Sequence, residues 1–335
     1  MHKRTTILFI LLGTISVVLF VLNLFIGDSD LAPSKVWAAL TGGDVDKTTR
    51  DIVLSLRLLR TVLAVLIGVA LSISGVQMQT VFQNPLADPY LLGVSSGAGL
   101  GTAIFILGIP LLGLSNSPLL QSIGVVGAGW IGAALILIGV TVISRRVKNI
   151  FGVLIIGVMI SYVAGAIIQI LQYLSSAEQL KMFFLWSMGS LGTVTTVKLL
   201  IMLPVLCLGI IFAVFSIKSL NLLLLGESYA QTMGLNVKRS RTLIFVSTIL
   251  LAGTITAFCG PIGFIGLAVP HIARMLFNNA DHRVLLPGSV LVGIVVMLFC
   301  DLLAKSFILP INSITALLGV PVILWVVAKN LRIVQ

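Results

Sequence analysis

The side chains that enzymes most often use for catalysis are few in this sequence, and they do not form catalytic patterns. Gly93-Val-Ser-Ser-Gly97 has the spacing of the nucleophile elbow of serine hydrolases. That motif works on a strand–turn–helix corner with an acid and a histidine as partners. No acidic residue occurs between Asp88 and Glu178, and the histidines of the whole sequence are His2, His271 and His282. The sequence therefore argues against hydrolase chemistry.

Motifs for nucleotide and metal binding are also incomplete. Gly127-Ala-Gly-Trp-Ile-Gly132 matches the dinucleotide fingerprint, but it lies in an apolar run and lacks the acid that should follow about 20 residues later. The sequence contains no Gly-Lys dipeptide and hence no phosphate-binding P-loop. The three cysteines stand singly in apolar runs, where small buried side chains are expected. We therefore expect no catalytic residue, no metal site and no cofactor.

Asp301 is the one acidic residue that falls within an apolar run, and Lys305 follows it by one helical turn. An intramembrane carboxylate is a candidate for function by default. An Asp–Lys pair four residues apart also stabilises a helix. The structural interpretation is favoured, and the role of Asp301 stays open.

The composition identifies the class of protein. Of the 335 residues, 58% are hydrophobic and 9% are charged, whereas soluble domains contain about 25% charged residues. A bilayer core about 30 Å thick needs about 20 apolar helical residues to cross it, and a central charge costs about 2.5 kcal/mol or more. Stretches free of Lys, Arg, Asp and Glu thus predict an all-α polytopic membrane protein with about ten transmembrane helices. These lie near 7–26, 60–82, 91–113, 121–144, 150–174, 199–217, 242–258, 262–278, 284–307 and 313–329, and 182–197 is interpreted as an interfacial helix and loop.

The placement of lysine and arginine predicts the orientation of these spans. With the N-terminus in the cytoplasm, 13 of the 21 basic residues fall on the cytoplasmic side, as the positive-inside rule requires. Both termini are then cytoplasmic. The net charge of +11 is explained by topology, and we expect no nucleic-acid partner.

Residues 1–335 are interpreted as a single transmembrane domain with two segments outside the spans that have structure of their own. In the outer loop, 27–59, Ser34 is expected to cap a short helix. In the cytoplasmic segment, 218–241, Gly226 and Gly234 bound at most two turns of helix, with Glu227 at the positive end. A helix this short needs a partner surface to hold it.

Glycine and proline mark further features of the spans. Gly93, Gly97 and Gly101 fall on one helix face and predict close packing against a neighbouring helix. Two regions rich in Gly and Pro, 84–89 and 260–270, interrupt the apolar runs. They are interpreted either as lining a cavity or gate or as ordinary loop turns.

Nine stretches, in order along essentially the whole chain, carry a resemblance to a known family. They are Leu56-Arg-Leu-Leu-Arg-Thr61, Ser74-Gly-Val-Gln-Met-Gln79, Asn84-Pro-Leu-Ala-Asp-Pro89, Leu92-Gly-Val-Ser-Ser-Gly-Ala-Gly99, Leu225-Gly-Glu227 with Gly234, Gly263-Phe-Ile-Gly-Leu267, Val269-Pro-His-Ile-Ala-Arg274, Asp281-His-Arg-Val-Leu-Leu-Pro287 and Leu318-Gly-Val-Pro-Val322. Together they resemble the permeases of type II ATP-binding-cassette (ABC) importers for iron chelates, haem and vitamin B12, the FecCD/BtuC-like family.

The resemblance implies a BtuC-like permease fold and a set of partners. Two copies of the permease, or one copy and a paralogue, would surround a central pathway in the bacterial cytoplasmic (inner) membrane, in contact with lipid. Two ABC ATPase subunits would bind on the cytoplasmic side and a substrate-binding protein on the outer side. The permease would then not be an enzyme, because the partner subunits hydrolyse the ATP.

The resemblance also assigns roles to residues. Arg57, Arg60 and Lys305 would receive carboxylates of the docking substrate-binding protein, although Leu59 stands where the family usually has proline, and anchoring to lipid headgroups is the alternative. Asn84 and Leu86 would form the cytoplasmic gate. The other half of the gate, near Ile150 and Phe151, departs from the small hydroxyl residues of the family and is left open. Contact with the ATPase would fall to Glu227, Ser228, Ala230 and Gly234.

The expected function is therefore import of an iron chelate (siderophore or haem) or cobalamin by ATPase-driven alternating access, with iron chelates ranked first. The alternative is a secondary transporter that is driven by an ion gradient without an ATPase. Such a transporter needs buried acids for ion coupling, and Asp301 alone is available. Which chelate is carried, and whether the dimer contains one kind of permease or two, the sequence leaves open.

Overall fold

A computed structural model describes residues 3–27, 29–111, 118–144 and 150–331. Regular structure within these ranges is helical, without strands. The helices are α1 (Lys3–Phe25), α2 (Pro33–Thr41), α3 (Lys47–Val81), α4 (Val94–Leu111), α5 (Pro118–Ser144), α6 (Ile150–Leu174), α7 (Ala177–Ser187), α8 (Thr196–Leu223), α9 (Glu227–Thr232), α10 (Val237–Cys259), α11 (Ile265–Phe277), α12 (His282–Phe307) and α13 (Ile311–Leu331). Short π-helical turns interrupt α3, α4 and α10, and a 3-10 turn, Pro89–Leu92, precedes α4.

Each of the ten predicted spans coincides with an apolar helix. Among the described residues, seven helices are long and apolar enough to cross a membrane, and three further apolar helices are shorter. The prediction of an all-α polytopic membrane fold is confirmed. The predicted boundaries were less accurate: α3 begins at Lys47, well before residue 60. Charged side chains end an apolar run but do not prevent the backbone hydrogen bonds of a helix. The segment 47–60, which contains five charged residues, therefore extends the helix.

The chain forms two compact units. The first contains residues 1–73, 190–203 and 262–335, and the second contains 74–189 and 204–261. The borders at 73/74 and 203/204 fall inside α3 and α8. A single permease domain over 1–335 stays a prediction.

In the first unit, α12 packs against α1, α11 and α13. It also approaches α3 closely at two glycines, because a Cβ on Gly68 would lie 2.5 Å from the carbonyl oxygen of Gly293. The short helix α2 rests on the chain through Val36 and Ala39, which share a small apolar core with Val53. The prediction that Ser34 caps α2 was wrong: Pro33 occupies the first helical turn, where its fixed φ favours helix, and Ser34 therefore lies inside the helix.

In the second unit, α4 packs against α5 and α6. The predicted close packing is confirmed for two of the three glycines: a Cβ on Gly97 would lie 2.6 Å from the carbonyl oxygen of Gly132, and one on Gly101 would overlap the carbonyl of Ala128. Gly93 precedes α4 with φ of 77° and does not share its helical face. Helix α7 and the loop after it cover the region predicted as helix and loop. The helix starts before residue 182 because a Ser176–Gln179 capping box sets its N-terminus.

The cysteines do not all share one environment. Cys259 and Cys300 are buried, as the sequence predicts. Cys207, on α8, is exposed, so the expectation of a buried side chain was wrong there. An apolar run that crosses a membrane has apolar residues on all sides, and the sequence does not show which of them face the protein interior.

Candidate functional site

The three residues assigned to docking lie in the first unit and line one cavity of about 410 Å³. Two of them bind the carboxylate of Asp301: Nε of Arg60 lies 2.8 Å from Oδ1, and Nζ of Lys305 lies 2.7 Å from Oδ2. Asp301 is fully buried. We call Arg57, Arg60, Lys305 and Asp301 the basic cluster. Its three bases and one acid leave a net charge of +2.

Arg57 binds the backbone at the C-terminal end of α1. Its Nη1 donates to the carbonyl oxygens of Leu24, at 3.2 Å, and Phe25, at 2.8 Å, and its Nη2 donates to Ser29. The last carbonyls of a helix have no partner within the helix, and a cation is favourable at that end. The guanidinium also packs on Gly27, where a Cβ would lie 2.6 Å from Nε. With 5% of its surface exposed, Arg57 is a structural residue in this arrangement.

Lys305 is also bound by several groups of the chain. Besides Asp301, its Nζ donates to the backbone oxygen of Asn23, at 3.2 Å, and to the side-chain oxygen, at 3.1 Å. Asn23 in turn donates to the carbonyl oxygen of Leu298, at 3.0 Å. A hydrogen-bonded network therefore joins α1, α3 and α12 in the first unit. Lys305 is 4% exposed.

Exposure separates the three predicted docking residues. The side chain of Arg60 is 21% exposed, and it faces the cavity that Arg57 and Lys305 also line. A carboxylate from a partner can approach Arg60 as the chain stands. Arg57 and Lys305 are engaged by groups of this chain and would have to leave them first. Direct docking thus stays a prediction, and its geometric support is strongest for Arg60.

The two residues assigned to the gate lie in the second unit, in a turn after α3. Asn84 holds this turn, because its Oδ1 accepts from the backbone N–H of Leu86 at 2.9 Å and its carbonyl accepts from Ala87 at 3.0 Å. Leu86 projects, with 42% of its surface exposed. We call residues 82–87 the gate turn. The predicted other half of the gate, 148–151, lies outside the described residues except for the backbone of Ile150 and Phe151.

An acid next to the gate turn has an unusual pKa. The carboxylate of Asp88 caps the 3-10 turn, since its Oδ1 accepts from the backbone N–H of Tyr90 at 2.8 Å. Burial raises the pKa of Asp88 to about 6, and the hydrogen bond from Tyr90 opposes that rise. The carboxyl group therefore titrates near pH 6, well above its ordinary range.

The short helix predicted between Gly226 and Gly234 is present as α9, and its role in coupling to an ATPase stays a prediction; we call α9 the coupling helix after that predicted role. It lies between Gly226 (φ 97°) and Gly234 (φ 83°), and Glu227 in its first turn forms an ion pair with Arg241 of α10. Ser228 and Gly234 are exposed. Ala230 is fully buried in the apolar core of the second unit, so it does not present its side chain to a partner as predicted. Its small methyl group instead lets α9 lie close to the unit that carries it.

The sequence interpretation missed the surface that α9 and its flanks present. Tyr229 is 49% exposed, Met233 is 60% exposed and Leu225 is 63% exposed. Exposed apolar residues clustered on a polar segment are typical of an interaction site. Their apolar character was a signal in the sequence, but a helix of six residues is too short to show which side chains turn outward.

Gln77 was also missed. Its buried amide accepts from Thr248 Oγ1 at 3.0 Å and donates to Ser247 Oγ at 3.0 Å, which joins α3 to α10 within the second unit. It lies in the stretch 74–79 that contributes to the family resemblance. A buried amide is costly unless it is hydrogen-bonded, so a glutamine in an apolar span was a sign of a polar partner.

Comparison with known proteins agrees with this picture. Residues 15–329 match the model of the FecCD transport family. The chain is 36% identical to the hemin transport system permease protein HmuU of Yersinia pestis, over 96% of both chains. It is 35% identical to the vitamin B12 import system permease protein BtuC of Salmonella typhimurium, over 93% of this chain and 91% of the relative. A solved inward-facing structure of a metal-chelate type ABC transporter superposes with a TM-score of 0.79 at 29% identity, over 96% of this chain and 98% of the other.

Proposed function

Because this chain belongs to the FecCD transport family, we propose that it is the membrane-spanning permease subunit of an ABC importer for an iron chelate. The observation that carries the proposal is α9. A six-residue helix, anchored by a buried Ala230 and by an ion pair to Arg241, presents exposed Tyr229 and Met233. An importer needs such a surface, because an ATPase must grip the permease outside the membrane.

The proposed partners follow from the family. Two ABC ATPase subunits bind α9 of two permease copies from the cytoplasm, and a loaded substrate-binding protein docks on the outer side near Arg60. The protein is proposed to lie in the bacterial cytoplasmic membrane with both termini in the cytoplasm, as the excess of bases on that side favours.

The proposed mechanism is alternating access. Nucleotide binding displaces α9, the second unit moves with it, and the gate turn at Asn84 and Leu86 opens on one side of the membrane at a time. The permease forms no covalent intermediate. Its part is to convert a partner's change of conformation into a movement of the gate.

Haem is the first substrate to test. Iron chelates rank first from the sequence, and the relative at 36% identity is named for hemin. Cobalamin ranks second, with a vitamin B12 permease at 35% identity.

The geometry argues against the secondary transporter. Ion coupling needs an acid that can release its proton or bind a sodium ion during the cycle. Asp301 is the acid that falls within a predicted span, and both its carboxylate oxygens are bound by cations, Arg60 and Lys305. A carboxylate held by two cations is a poor carrier for a third.

Reconstitution tests the proposal. The permease alone in lipid vesicles should accumulate neither radiolabelled haemin nor radiolabelled vitamin B12 under a proton or sodium gradient. Addition of its ATPase and its substrate-binding protein should give ATP-dependent uptake of one of them. Gradient-driven uptake by the isolated permease would refute the importer proposal, and so would failure of the complete complex to take up either compound or a ferric siderophore.

A further inference from the structure

Gln83 adopts a backbone conformation that is unusual for its residue type. It follows the last turn of α3 with φ of 47°. The N–H of Asn84 bonds back to the carbonyl of Gln79 at 3.2 Å, and the N–H of Gln83 bonds to that of Thr80 at 3.2 Å. This is the helix ending whose left-handed position glycine usually fills. A glutamine there has the steric cost of a Cβ, so its side chain should compensate for that cost.

The side chain of Gln83 reaches the end of another helix. Its Nε2 donates to the carbonyl oxygen of Leu223 at 3.0 Å. Leu223 is the last residue of α8, where carbonyls lack partners within the helix. The same oxygen also accepts from the backbone N–H of Gly226 at 3.1 Å. One carbonyl thus receives a donor from the gate turn and a donor from Gly226, the residue that precedes the coupling helix.

Apolar contacts tie the same two regions together. Phe82 is fully buried, and its ring stacks on Phe245 with centroids 6.2 Å apart. Ala87, at the other end of the gate turn, lies in the same core as Ala230 of α9 and Leu223. The core therefore holds the gate turn beside the coupling helix. It does not fix their register, because apolar contacts are non-directional, whereas the hydrogen bond from Gln83 is directional.

We propose that Gln83 is a positioning residue that makes the gate turn follow the coupling helix, through the bond from its Nε2 to the carbonyl of Leu223. The inference rests on the proposed function, since it assumes that an ATPase moves α9. When α9 and Gly226 are displaced, the end of α8 moves with them. The amide of Gln83 transmits that displacement to Asn84 and Leu86, which follow it in the chain.

The main test is Gln83→Gly. Glycine accepts the positive φ without steric cost and cannot make the side-chain bond, so the variant should fold with an unfolding temperature equal to or above that of the wild type. Gln83→Ala is the matched control for strain, because it lacks the amide and keeps the Cβ. Gln83→Lys is the rescue variant, because an ammonium group donates to a C-terminal helix carbonyl and is favoured there.

The measured quantity is the number of haemin or vitamin B12 molecules taken up per ATP hydrolysed by the complete complex in proteoliposomes. For Gln83→Gly and Gln83→Ala we expect this ratio to fall about three- to thirtyfold, the range for residues within a coupled element, while ATP hydrolysis continues. Gln83→Lys should keep most of the wild-type ratio. A wild-type ratio in Gln83→Gly would overturn the inference and leave the proposed function intact. Absence of ATP-dependent uptake by the wild type would refute the proposed function and this inference with it.

A second measurement reports on the gate directly. Leu86→Cys, in a Cys207→Ser background that removes the exposed native thiol, places a reactive group on the exposed gate residue. Its rate of labelling by a maleimide should depend on added ATP in the complex with the ATPase. Gln83→Gly in the same background should abolish that dependence. If the labelling rate still responds fully to ATP, Gln83 does not transmit the movement.

Discussion

The basic cluster of the first unit and the coupling region of the second unit are held in opposite ways. The cluster is organised by charge: a fully buried Asp301 is bound by Arg60 and Lys305, and Lys305 is itself bound by Asn23. In the coupling region, by which we mean the gate turn and α9 with its flanking glycines, an apolar core and neutral hydrogen bonds hold the gate turn beside α9, and the ion pair Glu227–Arg241 lies at its edge.

This difference indicates which region can move. Separating buried charges leaves each of them without compensation in a medium of low dielectric, so a buried network resists rearrangement. A neutral hydrogen bond has a net free energy of about 1 kcal/mol and exchanges more easily. We therefore expect substitutions of the buried members of the basic cluster to act mainly on stability, and substitutions in the coupling region to act on transport as well.

The largest expected effect is that of Asp301→Asn. Loss of one charge from a buried network leaves Lys305 uncompensated and should destabilise the protein by about 3–5 kcal/mol, measured as chemical unfolding in detergent. The control is the double variant Asp301→Asn with Lys305→Met, which removes both charges. It should lose less stability than the single variant. An unchanged stability in the single variant would show that charge does not organise the cluster.

Next in size is Glu227→Ala. It removes the partner of Arg241, which is 6% exposed, and should cost about 1–3 kcal/mol. It should also lower ATP-dependent uptake, because α9 loses its anchor to α10. Ser228→Ala, at the exposed neighbouring position of the same helix, is the control and should change stability by less than about 0.5 kcal/mol. Equal losses of stability in the two variants would contradict the anchoring role of Glu227.

Arg60→Gln should have a smaller effect, on docking. The glutamine keeps an N–H donor for Asp301 but removes the one partly exposed charge of the cluster. Affinity for the substrate-binding protein should fall about two- to fivefold, and the fall should be larger at low salt, where exposed charges are less screened. Surface plasmon resonance at two salt concentrations measures it. Arg50→Gln, an exposed arginine outside the cluster, should bind like the wild type. Arg57→Gln, by contrast, should lower stability more than affinity.

The smallest effect concerns pH. The pKa of Asp88 is about 6 in the folded chain and 3.8 ordinarily, so folding is favoured while the carboxyl is protonated, and this contribution is lost as the pH rises through about 6. Asp88→Asn keeps an acceptor for Tyr90 and cannot ionise. The unfolding temperature of the wild type relative to this variant should therefore fall between about pH 4 and about pH 6, the interval between the two pKa values. A relative stability that rises with pH over this interval would contradict the burial effect.

Much of the fold was predictable because the membrane imposes a simple rule on the sequence. A charge in the bilayer core is costly whatever surrounds it, so the charge-free stretches, two of which divide at breaks near 114–118 and 259–261, predicted the ten apolar helices. The coupling helix was predictable for a local reason, since Gly226 and Gly234 bound it and both adopt positive φ. The start of α3 at Lys47 was not predictable. The absence of charge marks the part of a helix that crosses the bilayer core, and a helix can continue beyond that core.

The candidate site was less predictable, because it depends on contacts between distant parts of the chain. The charges of Arg57 and Lys305 suggest exposed positions near the membrane surface, yet both side chains are buried. Arg57 binds carbonyls at the end of α1, and Lys305 binds Asn23 and Asp301. Ala230 is a small residue on a surface segment, and the core turns it inward.

The sequence by itself determined the class of the protein, its number of apolar helices and its family. These follow from composition and from short motifs of neighbouring residues, which need no knowledge of tertiary contacts. Only the tertiary structure decided that Arg60 is partly exposed and that Arg57 and Lys305 are buried in hydrogen bonds within the chain. It alone brought the amide of Gln83 to the carbonyl of Leu223, 140 residues away. Burial and hydrogen bonding are properties of pairs of residues, and packing alone decides which pairs meet.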